Sequence, residues 1–143
     1  MADAAAPPVD PIEQAVVLKN EANAEFAAGE FLKAAALYSK AIKLDVTNAA
    51  LYSNRSIALL KLKKVSKALE DAEECIRLRP EWEKGYYRKA AVLEDQDKLD
   101  EAIEVYKKSL KLAPAADMEA KIKQLQKLSQ SRKKKMSAAM FGR

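Results

Sequence analysis

Leu44, Leu78 and Leu112 stand 34 residues apart, within the aligned stretches "YSKAIKLDVT", "AEECIRLRPE" and "YKKSLKLAPA". Ala34, Ala68 and Ala102 keep the same period, as do Ala41, Cys75 and Ser109, and Ala22, Ser56 and Ala90. Large apolar residues recur between them, at Ile42, Ile76 and Leu110 and at Phe31, Val65 and Leu99. A short unit repeated in this way cannot bury its apolar face alone, so its copies must stack. Small residues then mark where helices approach closely, and large ones mark where the space between them is filled.

The unit is helical. Ala, Leu, Glu and Lys dominate, and the 143 residues include only three glycines and five prolines, a composition that favours helix over strand. The period predicts a first helix of each unit near 12–28, 48–61 and 82–95, and a second near 31–44, 65–78 and 99–112. Gly29 is placed to close the first helix in a left-handed C-terminal cap. A last helix is expected from Asp117 to about residue 135, with Met118, Ile122, Leu125 and Leu128 at helical spacing. Its place in the stack is to cover the flank of the third unit. The opening "MADAAAPPVDP" reads as a disordered arm over residues 1–11, and residues 136–143 read as a disordered tail.

The 34-residue period and its small-and-large pattern resemble the tetratricopeptide repeat, over repeats 15–48, 49–82 and 83–116. The resemblance implies an all-α right-handed superhelix of helix–turn–helix pairs whose first helices line a concave groove. Two departures stand out. Val46 replaces the proline present as Pro80 and Pro114, and Ala72 replaces the aromatic present as Tyr38 and Tyr106. Both are expected to loosen packing locally.

In this register the groove-facing stripe of the first helices carries Lys19 and Asn23, then Asn54, then Lys84 and Arg88. Lys, Arg and the Asn amide are hydrogen-bond donors, and a carboxylate is an acceptor only. Five such donors suit two carboxylates, and a C-terminal aspartate presents two. The spacing by itself implies an anionic peptide. The sequences "LKNEAN", "YSNRS" and "KGYYRKAA" resemble the two-carboxylate clamp of co-chaperone tetratricopeptide domains at all five positions. That resemblance implies a specific ligand, the Glu-Glu-Val-Asp terminus of the seventy- and ninety-kilodalton heat-shock chaperones.

Other features weigh less. Trp82, Tyr86 and Tyr87 could stack on a peptide or pack between repeats, and packing is the commoner use of aromatics at helical spacing. Tyr52 has the same status. Cys75, the one cysteine, can form no internal disulfide and stands where other repeats have Ala and Ser, so it reads as a small packing residue. The acidic runs "LEDAEE" and "LEDQDKLDEAIE" lack the ligand spacing of a calcium loop and read as a solvated face. No metal or cofactor is expected.

The net charge of +5 is unevenly placed. Residues 121–143 carry eight basic groups and no acid, which leaves 18 basic and 21 acidic groups in residues 1–120. The run "SRKKK" reads as a solvated tail. The alternative is a repeat scaffold whose basic tail contacts nucleic acid or anionic membrane. The chain has no histidine, the commonest acid–base catalyst, and no Gly-rich phosphate loop, so an enzyme is not expected. No apolar run is long enough to span a bilayer, and the N-terminus lacks a secretory signal pattern. A monomeric cytoplasmic protein, with nuclear presence also open, is the expectation.

Overall fold

A computed structural model describes residues 9–141. Among these the chain forms seven helices and no strand: α1 Pro11–Ala27, α2 Phe31–Leu44, α3 Ala49–Lys61, α4 Val65–Leu78, α5 Glu83–Asp95, α6 Leu99–Leu112 and α7 Ala116–Phe141. The expected second helices fall on α2, α4 and α6 without a shift, and the first helices differ by one residue at their ends. Asp10 starts α1, its carboxylate accepting from the Ile12 amide at 2.9 Å while Pro11 takes the first turn, where its missing N–H costs nothing. Most of the expected N-terminal arm, residues 1–8, lies outside the described residues.

The turns inside each pair share one construction at the 34-residue period. Gly29, Lys63 and Asp97 all have left-handed backbones, with φ of 81°, 61° and 62°. The next amide reaches back over the helix end in each case: Glu30 to the Glu25 carbonyl at 2.8 Å, Lys64 to Leu59 and Lys98 to Leu93 at 2.9 Å. These are Schellman closures. Gly29 meets the requirement without strain, whereas Lys63 and Asp97 do so at a cost.

Joints between pairs are also repeated. The Tyr52 hydroxyl donates to the Val46 carbonyl at 2.9 Å, and Tyr86 donates to the Pro80 carbonyl at 2.8 Å. The joint that lacks a proline is therefore pinned by the same tyrosine latch, and Asn48 adds a cap by accepting from the Ala50 amide. At Val46 the expected loosening is opposed by these bonds. Ala72 is fully buried.

All nine small residues of the repeat pattern are buried to 1% exposure or less, which is what close helix contact demands. The core forms two clusters. One runs through α1, α2, α3 and α4, with Tyr38, Leu51 and Leu59 among its members, and takes in Val92 of α5. The other joins α5, α6 and α7 through Leu93, Ile103, Tyr106, Ile122 and Leu125. So α7 covers the flank of the third pair, as expected of it.

Two expectations about α7 need correction. Its buried face runs Ile122, Leu125 and Ser129, and Leu128 is turned outward. A step of four residues after Leu125 stays on the packing face better than a step of three, and the Ser129 hydroxyl donates to Asp100 at 2.6 Å there. The helix also continues through Phe141 instead of ending near 135. Residues 136–141, expected to be disordered, contain Ala138, Ala139 and two methionines and no breaker before Gly142, so nothing local stops the helix.

Candidate peptide-binding groove

Repeat stacking places α1, α3 and α5 as successive first helices, and the structure ties their polar residues together through buried side chains. The Tyr38 hydroxyl, from α2, donates to Oδ1 of Asn23 on α1. On α5, Arg88 donates from Nε to Oγ of Ser53 on α3 at 3.1 Å. Its guanidinium lies over the Tyr87 ring, 5.4 Å from the centroid. Burial lowers the Arg88 pKa below the ordinary guanidinium value, while Tyr87, Cys75 and Tyr38 pull it back. Burial likewise raises the Tyr38 pKa, and the Arg88 charge opposes that rise. Asn23 and Arg88, 65 positions apart in the chain, are thus both coupled to the same tyrosine, one by a hydrogen bond and the other through its charge.

The other three candidates follow by register. Lys19 is half-buried on α1, one turn before Asn23; Asn54 follows Ser53 on α3 and is also half-buried; Lys84 is exposed, one turn before Arg88. Lys84 also borders an open cavity of about 200 Å³ with Tyr87, Ser109, Pro114 and Met118.

Arg88 stands apart from the other described arginines in its pairing. Arg55 meets Asp71 through two bonds of 2.7 Å, Arg77 meets Glu74, Arg79 meets Glu81 at 3.8 Å and Arg132 meets Asp97 at 2.6 Å, whereas among the described residues surface lysines such as Lys33, Lys40 and Lys67 have no acid partner. Among the described residues, no carboxylate pairs with Lys19, Lys84 or Arg88. Asn54 makes no side-chain hydrogen bond there, and the Asn23 Nδ2 donates to no protein acceptor. The site holds cations and amide donors without their acceptors, on a body with more acids than bases. A partly desolvated guanidinium attracts a carboxylate more strongly than a solvated one does.

The aromatic alternatives separate. Tyr52 and Tyr86 are joint latches. Trp82 is half-buried beneath Arg79, 4.6 Å from its ring centroid, and Tyr87 meets Tyr106 edge-on at 6.0 Å while keeping one side exposed. Cys75 is fully buried, and burial pushes its thiol up to about 11, so it is an inert packing residue.

The acidic runs are for the most part the exposed face expected of them, with Asp71 as the buried exception. Asp71 is buried on Arg55, whose third contact is the Ser39 hydroxyl at 3.1 Å. Glu94 accepts from Tyr106 at 2.8 Å, while Asp97 and Asp100 bind Arg132 and Lys133 of α7 at 2.6 and 3.0 Å. Two of the four cations in the basic run are thus committed to holding α7 on α6. Among the described residues no cluster of acids, cysteine or histidine is placed to hold a metal, and no helix is long and apolar enough to cross a membrane.

Three contributors escaped the sequence reading. Tyr38 and Ser53 sit beneath the candidate residues, and neither type signals that role. Gly85, inside "KGYYR", is buried where α5 crosses α4; a Cβ there would lie 2.7 Å from Ile76 Cγ1 and 3.1 Å from its backbone nitrogen. A lone glycine in a helical pattern was the available signal.

Comparison with known proteins agrees with this architecture. Residues 49–81 and 83–115 each match the tetratricopeptide repeat. The chain is 47% identical over 95 residues to heat shock protein STI1 of Saccharomyces cerevisiae, covering 66% of this chain and 16% of that protein. The first tetratricopeptide domain of Spaghetti (RPAP3), solved with the HSP90 peptide SRMEEVD, superposes with a TM-score of 0.78 at 29% identity, over 82% of this chain and 96% of that one. The second such domain of human RPAP3, solved with the HSP70 peptide SGPTIEEVD, gives 0.74 at 28%, over 81% and 98%. The chain spans less than a quarter of the length of the curated relatives it matches. With the 34-residue period, the paired helices and these matches together, the chain belongs to the tetratricopeptide-repeat family.

Proposed function

We propose that this chain is a co-chaperone or chaperone-adaptor module that binds the C-terminal Glu-Glu-Val-Asp peptide of the seventy- and ninety-kilodalton heat-shock chaperones. The observation that carries the reading is the set of donors without acceptors. Lys19, Asn23 and Asn54 hold the chain-terminal carboxylate. Lys84 and Arg88 hold the side-chain carboxylate of the same terminal aspartate. Each charge-assisted contact contributes about 1.5–3 kcal/mol, so two carboxylates fixed at one spacing read both the charge and the end of a peptide. Two neighbours of the same fold hold peptides that end in Glu-Glu-Val-Asp, which supports the choice of ligand.

The module acts as a monomer and binds without chemistry, cofactor or metal. Its place is the cytoplasm, where those chaperone tails are available. The basic run on α7 receives no binding role, since Arg132 and Lys133 are already engaged with Asp97 and Asp100.

Calorimetric titration tests the proposal. Tail peptides of the two chaperones, run side by side at fixed salt, should bind at one site per chain. A scrambled peptide of equal charge should not bind measurably. Equal affinity for native and scrambled peptides would reject the clamp and leave only electrostatic attraction.

A further inference from the structure

We infer that Tyr38 and Ser53 are positioning residues of the peptide site, which orient the Asn23 amide and the Arg88 guanidinium before a ligand arrives; the inference rests on the clamp reading above.

An asparagine side chain has two nearly isosteric faces, one a donor and one an acceptor. With its oxygen toward the groove, Asn23 would repel a carboxylate; with its nitrogen there, it donates. The Tyr38 hydroxyl donates to Asn23 Oδ1, which turns Nδ2 away from α2 and leaves it for a ligand. Tyr38 is 2% exposed and cannot swing aside. Its donor role is itself biased by charge. The Arg88 charge acts on the phenol, and a positive charge disfavours a phenol hydrogen turned toward it, which leaves the bond donated to Asn23 as the favoured one. Reversing the Asn23 amide would require the phenol to give up this donated bond and accept one instead.

Ser53 does the equivalent for Arg88. It is fully buried, and its Oγ accepts from Nε at 3.1 Å. That bond fixes the plane of the guanidinium and leaves both terminal nitrogens for a carboxylate, the geometry of a forked contact. Holding both donor groups in the bound orientation removes ordering cost from the binding step. Thus Asn23 and Arg88, on the first and third repeats, are preset by Tyr38 and Ser53, which come from the first and second.

Double-mutant cycles test this with a Glu-Glu-Val-Asp peptide and calorimetry. Tyr38→Phe keeps the ring and removes only the hydroxyl, and Ser53→Ala replaces a buried hydroxyl with a methyl group. Each should weaken binding about fivefold to tenfold. In an Asn23→Ala background, Tyr38→Phe should cost nothing further, and in an Arg88→Ala background Ser53→Ala should cost nothing further. A merely structural role would lower the melting temperature and multiply the losses in both backgrounds. Wild-type affinity in both single variants, or losses that multiply in the double variants, would overturn the inference while leaving the clamp in place. Failure of the unaltered chain to bind the peptide would instead remove the clamp reading, and this inference with it.

Discussion

Replacing Arg88 by Ala separates binding from folding, because the two effects have different signs in the structure. The side chain has one hydrogen bond, to Ser53, and one ring contact, with Tyr87. Losing a hydrogen bond from a charged donor costs about 1.5–3 kcal/mol, and losing a partly exposed cation–ring contact about 0.5–1 kcal/mol. Against these stands relief of a buried charge. The lowered Arg88 pKa means that folding disfavours its charged form, so removing the cation returns stability. The net loss of stability should therefore be smaller than these two losses taken alone, and the fold should survive. Peptide affinity loses a charge-assisted contact with nothing to offset it, about 1.5–3 kcal/mol or roughly ten- to hundredfold. Calorimetric titration with a tail peptide and a thermal melt of the same sample read the two quantities. Arg88→Lys should recover only part of the affinity, since an ammonium lacks the planar fork. Affinity within about twofold of the unaltered chain would refute the argument. So would a loss of affinity that merely follows a collapse of the melting temperature.

Further outcomes follow from the same contacts. Lys63→Gly should stabilise the fold by about 0.5–1 kcal/mol, because a left-handed lysine is strained and its exposed pairing with Asp95 contributes little; a denaturant midpoint that does not rise would count against it. Gly85→Ala should destabilise by about 1–2 kcal/mol, since crowding against Ile76 outweighs the gain in helix propensity, and should weaken peptide binding by displacing α5; a raised melting temperature would show that α5 can relax away. Asp100→Asn should speed amide exchange in α7 by weakening its anchor to Ser129 and Lys133. Bonds from Ser129 and then Lys133 hold the Asp100 pKa below the ordinary aspartate value. The stability it contributes is therefore present above that value and lost as pH falls through the lower folded one. Acidification should loosen α7 in the unaltered chain and have less effect in the variant.

Much of this architecture was legible because a repeat states its own register. Once Leu44, Leu78 and Leu112 were aligned, helix ends, buried small residues and the groove stripe followed from one period. Side-chain partnerships were harder to read, because they depend on which residues meet across repeats. Asp71 looked like one acid in a run of acids, and its burial follows from Arg55, 16 positions earlier, arriving opposite it. Ser129 gives no sign in the sequence that it meets Asp100, 29 positions earlier. Tyr38 reads as packing, which it is, and its hydroxyl gains meaning only beside Asn23. The end of α7 was misplaced because residues 136–141 show no partner that would close a helix, although their alanines and methionines are good helix formers.

The central claim is that two carboxylates of one terminal aspartate are held together, and the position of the chain end tests it most directly. A Glu-Glu-Val-Asp peptide and the same peptide extended by one glycine have equal net charge. They differ in where the free carboxylate lies relative to the aspartate side chain. The extension leaves Lys19, Asn23 and Asn54 facing a peptide group in place of an anion. Losing that charged contact should cost on the order of 2–4 kcal/mol, or roughly 30- to 1000-fold in affinity. A parallel calorimetric titration of the two peptides at one salt concentration measures the ratio. A ratio in that range agrees with a clamp, and equal affinities would contradict it.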